Sequence, residues 1–76
     1  MAVQPLNVWT VYYNPADFPD KYVARRFECK GPDGPFATED MRLADSLAEI
    51  RNLIPPGLYR MEPWQGDDPC IVETWI

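Results

Sequence analysis

The chain contains no histidine. That removes the side chain that titrates nearest neutral pH, and with it the commonest general base and most nucleophile–base pairings. Cys29 and Cys70 are the only cysteines, and they form no CxxC spacing, so neither a zinc knuckle nor a redox dithiol is expected. They read as small core residues of a reduced, cytoplasmic protein. The four glycines are not grouped into a phosphate-cradling loop. No apolar stretch is long enough to span a bilayer, and the opening residues lack the apolar centre of a signal peptide, so no membrane partner is expected. Basic residues are scarce as well: seven Lys/Arg stand against twelve Asp/Glu, a net charge of −5. Nucleic acid and anionic lipid select Lys/Arg surfaces, so direct nucleic-acid binding is not expected either. Nothing in the composition calls for a cofactor.

What is present is a globular composition, 46% hydrophobic and 13% aromatic. At 76 residues the chain reads as one domain. A chain of this size buries only about 60% of its unfolded surface, so a partner's surface matters more to it than to a large domain. Nine prolines fall mainly between the patterned segments and read as pins in the connections.

Residues 8–13 are β-branched and aromatic and predict a strand. Residues 14–20, with Pro15 and Pro19, predict a shaped loop. A second strand covers 21–30, and the Gly-Pro-rich turn after it predicts a hairpin return. Residues 36–44 are compatible with strand or early helix; strand is favoured for 36–43. Ser46 followed by Glu49 is a capping box, and Leu47, Ile50, Leu53 and Ile54 form an apolar stripe, so a helix is expected over 46–54. Pro55, Pro56 and Gly57 end it. Strands are expected over 58–62 and 70–76. The expected fold is α+β: a small antiparallel sheet of four to five strands with one short helix packed on a face, in the order β-β-β-α-β-β.

Two charges stand out inside apolar alternation. Arg25 shares a strand face with Val23 and Phe27, and Glu73 shares one with Ile71 and Trp75. A charge on an apolar face is costly unless it is paired or reaches water. Three explanations compete: edge positions open to solvent, a structural Arg25–Glu73 pair across neighbouring strands, or a site in which Arg25 or Arg26 grips an anionic group. Asp17 with Asp20, and Asp67 with Asp68, are carboxylate pairs better read as turn and cap residues than as metal ligands, so no metal site is expected. Convergence of Glu28, Glu62 and Glu73 would leave carboxylate acid–base chemistry open, but no enzyme is expected. Phe18 and Trp64 lie in loops and, beside Arg25 and Arg26, are the contact candidates for a partner. Glu39, Asp40, Asp45 and Glu49 form a candidate acidic surface at the start of the helix.

The combination of Trp9-Thr-Val-Tyr12, Asp17-Phe-Pro19, Tyr22-Val-Ala-Arg-Arg-Phe27, Ser46-Leu-Ala-Glu-Ile-Arg51, Ile54-Pro-Pro-Gly-Leu58 and Asp67-Asp-Pro69 with Ile71-Val-Glu-Thr-Trp-Ile76 resembles small uncharacterised proteins encoded by bacteria, phages and prophages. The resemblance implies a provenance and no reaction, so no functional residue is carried over. The expected function is a small non-enzymatic domain that binds another macromolecule, most simply a protein. Two alternatives stand beside it. One is a phage-type acidic inhibitor, anti-CRISPR-like, that covers a nucleic-acid-binding surface; the other is a small ligand-binding domain or enzyme using Arg25 and Glu73. A homodimer through an exposed sheet edge is a further expectation.

Overall fold

A computed structural model describes residues 6–29, 35–63 and 69–76. It contains strands β1 (Leu6–Tyr13), β2 (Tyr22–Cys29) and β3 (Phe36–Ala44), helix α1 (Leu47–Asn52), and strands β4 (Arg60–Met61) and β5 (Ile71–Trp75). The strands form one antiparallel sheet in the order β3-β2-β1-β5-β4. The first three strands therefore run as a meander, and β5 returns to pair with the free side of β1.

Strand alternation sorts the side chains into two faces. Trp9 and Val11 of β1 lie in register with Arg26 and Ala24 of β2 and with Trp75 and Glu73 of β5. This is the face under the helix: Trp9, Val11, Ala24, Ile50 and Ile54 form its buried cluster. The other face carries Val8, Thr10 and Tyr12 of β1, in register with Phe27, Arg25 and Val23 of β2.

The helix starts where the capping box put it. Ser46 is the N-cap; its Oγ accepts from the Glu49 backbone N–H at 3.1 Å, and the Glu49 carboxylate accepts from the Asp45 N–H at 3.4 Å. The helix is shorter than the 46–54 expected, and its buried stripe differs. Ile50 and Ile54 are buried and Leu47 is half-buried, but Leu53 is exposed. Beyond it Gly57 has φ +88, a conformation that explains glycine there without any steric crowding. The loop between β1 and β2 is closed by residue types that tolerate the left-handed region: Asn14 at φ 56 and Asp20 at φ 62. Asn14 Oδ1 accepts from the Asp20 N–H at 2.8 Å.

Both outer strands are poor templates for further pairing. β4 has two residues. Along β3 the ladder slips between Arg25 and Phe27 of β2, which pair with Met41 and Ala37, so extra β3 residues stand opposite Arg26. Thr38 fills the gap: its hydroxyl donates to the Arg26 carbonyl at 2.8 Å and accepts from the Asp40 N–H at 3.1 Å. Bulges and very short strands are the usual devices that blunt a sheet edge. Thr38→Val keeps the side-chain shape and removes both bonds. It is expected to cost about 1–2 kcal/mol in chemical denaturation and to speed exchange of the Asp40 amide. An unchanged exchange rate would contradict this role for the hydroxyl.

Candidate functional site

The two anomalous charges do not meet. Arg25 is on the uncovered face, in register with Thr10, whereas Glu73 is on the helix-covered face, in register with Val11. The expected Arg25–Glu73 pair is therefore corrected, and with it any site that needed both residues. Sheet neighbours share a face only when their register positions match, and these two positions differ by one along β1.

Glu73 is fully buried and does not face solvent. Its carboxylate accepts from Arg51 Nε at 3.0 Å and Nη2 at 2.7 Å, from Arg60 Nε at 3.1 Å, and from Trp75 Nε1 at 2.6 Å. Burial pushes its pKa up, but the bonds from Arg51, Trp75 and Arg60 outweigh burial and hold the carboxyl below its ordinary value. The same bonds raise the pKa of Arg51 and Arg60. Glu62 sits on the far side of Arg60 at 2.6 Å, whereas Glu28 is held by Arg26 at 2.8 Å. The cluster ties the helix and β4 to β5, and a carboxylate with every oxygen engaged is a fastener and a poor acid–base group.

Arg25 forms an ion pair with Asp17, which brings the β1–β2 loop over the uncovered face. Arg26 points to the other face and is engaged there, by Asp40 at 3.1 Å, Glu28 at 2.8 Å and Asn7 at 3.1 Å. The two arginines therefore cannot grip one anion together. The expected acidic surface also divides. Asp40 is half-buried between Arg26 and Arg42, while Asp45 pairs with Lys21 and lines a cleft of about 300 Å³ with Glu49, Phe18 and Leu43. Glu39 is exposed on β3. Phe18 and the acidic start of the helix, expected as separate surfaces, thus border one cleft. Trp64, Asp67 and Asp68 lie outside the described residues.

The uncovered face is where the unexplained apolar surface collects. Leu6 (51% exposed), Met41 (37%), Leu43 (44%) and Met61 (40%) all fall on it by register. They are half of the eight large apolar side chains that are exposed among the described residues. Between them run two adjoining hollows that share Tyr12 and Phe27. One, of about 440 Å³, is walled by Pro15, Ala16 and Asp17; the other, of about 220 Å³, is floored by Val8, Thr10 and Ile71. Cys29 and Cys70 border these hollows and are not joined as a disulfide. They were expected in the core and are half-buried. Sequence reading had the alternation that creates this face but no signal for which face the single helix would leave open.

Among the described residues, no three His, Cys, Asp or Glu side chains are grouped to hold a metal ion, and no helix is long and apolar enough to cross a membrane. In comparisons with known proteins, no family model matches the chain, and no curated protein or solved structure matches it.

Proposed function

We propose that this chain is a non-catalytic protein-binding domain whose partner seats on the uncovered face of the sheet. The observation that carries the reading is the gathering of Leu6, Met41, Leu43 and Met61 around the Tyr12–Phe27 hollows on a face that, among the described residues, no helix or second sheet covers. A sheet normally turns a polar face to water or buries an apolar one, and contiguous apolar patches mark interaction surfaces. The partner's chemistry follows from the margin. Asp17, Asp20, Glu39, Asp45 and Glu49 outnumber Lys21 and Arg25 there, and both cations are already paired with Asp45 and Asp17. The partner surface is therefore apolar with a Lys/Arg border. A second copy of this chain would bring the same acidic margin against itself and is the poorer occupant.

The test compares capture of host proteins by the wild-type chain, by Met41→Glu with Leu43→Glu, and by Leu53→Glu. Leu53 is 40% exposed at the end of α1, on the opposite side of the sheet, so it serves as the control. Captured proteins are identified, purified and titrated by calorimetry. The double variant is expected to weaken binding by about tenfold or more, the loss typical of removing central contacts, with its melting temperature nearly unchanged. The control should bind as wild type. Equal affinity for the wild-type and double-variant chains overturns the proposal.

A further inference from the structure

We infer that the element seated on this face is a basic amphipathic helix of the partner, lying across the sheet opposite α1. The inference rests on the protein-binding reading above and narrows it. Chains that dock on sheets do so in two main ways, as an added strand at an edge or as a layer over a face. Strand addition needs a regular, accessible edge, and the described edges are irregular. β4 offers two residues, and β3 is interrupted where Thr38 replaces a ladder bond. What remains regular on β3 is a short run after the bulge.

The face, by contrast, is shaped for a layer. Tyr12 and Phe27 form a shared floor, and the Pro15–Asp17 stretch of the loop stands along one side of it as a wall. A helix about 10 Å across covers two to three strands at about 4.8 Å spacing, which matches a floor made by β5, β1 and β2. Its apolar stripe would meet Tyr12, Phe27 and Ile71. Its flanking Lys or Arg side chains would meet the carboxylates beside Phe18 and Leu43, where Asp45, Glu49 and Asp20 leave an acidic excess over Lys21. The described residues place a helix layer on one face only; with the partner helix the sheet becomes the middle of a three-layer arrangement.

The probes are three synthetic peptides of about 18 residues, long enough to form a helix on binding. One is a Leu/Lys sequence with helical spacing, one a Leu/Glu sequence with the same spacing, and one a Leu/Lys sequence alternating every second residue. Each is titrated into the full ¹⁵N-labelled chain. The helical Leu/Lys peptide is expected to bind, with amide shifts at Phe18, Tyr12, Phe27 and Leu43, and to weaken severalfold when salt rises from about 50 to 300 mM. Neutralising the margin by Asp20→Asn with Glu39→Gln, neither of which enters a buried contact, should weaken it about fivefold. Equal binding of the Leu/Glu helix overturns the inference, as does preference for the alternating peptide with shifts confined to β3. The purified partner separates this from the broader reading. If Met41→Glu with Leu43→Glu abolishes partner binding but the helical Leu/Lys peptide does not compete, the helix falls and the face stands. If the double variant binds the partner normally, both fall.

Discussion

Replacing Arg51 and Arg60 together by methionine is expected to destabilise the domain more than replacing Glu73 by glutamine. The asymmetry comes from burial. Glu73 is 0% exposed, whereas Arg51 and Arg60 are about 40% exposed at their side chains. Glu73→Gln leaves two guanidinium groups that can turn to water, and Glu62 still pairs with Arg60. Removing both arginines leaves a carboxylate with only the Trp75 indole N–H. A stranded buried charge costs about 3–5 kcal/mol, against a total stability of about 4–11 kcal/mol for a chain of this length. At the middle of both ranges the double variant loses about half of its stability.

The pH dependence should change sign with it. In the wild type the folded-state pKa of Glu73 lies below its ordinary value. In the window just below the unfolded value of about 4.3, the unfolded chain binds more protons, so stability rises with pH there. The contribution of Glu73 is complete above that value and is lost as pH falls through the folded-state pKa. Without Arg51 and Arg60, burial dominates and raises the pKa, so the folded state holds the extra proton and stability falls as pH rises. Adding Glu73→Leu to the two arginine changes should recover stability and flatten this dependence. Urea titrations between about pH 3 and pH 7 measure all three effects. A larger loss for Glu73→Gln than for the double arginine variant would falsify the account.

Trp9→Ala is expected to be the most damaging single change in the apolar cluster. Trp9 is 2% exposed at the middle of the sheet, across from Arg26 on one side and Trp75 on the other. The Arg42 guanidinium lies over its ring, 4.6 Å from the centroid, and also donates to the Leu53 carbonyl at the end of α1. The indole thus supports the sheet and, through Arg42, the point where the helix ends. Truncation to alanine should cost about 3–5 kcal/mol, while Trp9→Phe, which keeps a ring beneath the cation, should cost roughly half as much. The two variants are compared by denaturant midpoint. Equal losses would mean that a ring kept beneath Arg42 recovers nothing, which would overturn this role.

Much of the sheet was legible because alternation and turn residues are local signals. Trp9 and Val11 read as one face without knowledge of the partner strand, and Ser46 with Glu49 marked the helix start. Register between distant strands is not local. That Glu73 is a charge in need of a partner is legible in the sequence; that the partners are Arg51 and Arg60, and not Arg25, is not. Which strand lies beside β5, and whether its residues stand odd or even against it, is decided by the packed sheet. One signal in the sequence did point to the answer. Leu47, Ile50, Arg51 and Ile54 follow helical spacing, so Arg51 stands beside the sheet-facing stripe of α1, within reach of the buried Glu73 of β5. Reading Leu53 into that stripe in place of Arg51 hid the complementarity. The uncovered face was legible only in part: Phe27 and Tyr12 could be assigned to a face, but a short helix can cover either side.

The order of the strands also governs the time course of folding. β1, β2 and β3 can assemble from neighbouring segments, whereas the pairing of β1 with β5 joins Trp9 to Trp75 across almost the whole described chain. Contacts between such distant positions form late. Until β5 arrives, β1 carries a bare side along Trp9, Val11 and Tyr12, a stretch able to recruit another molecule's strand. Glu73 gains its partners only with that closure, when Arg51 and Arg60 receive its charge. Slow docking of β5 therefore makes concentration during refolding, more than the finished fold, the factor that decides whether this chain aggregates.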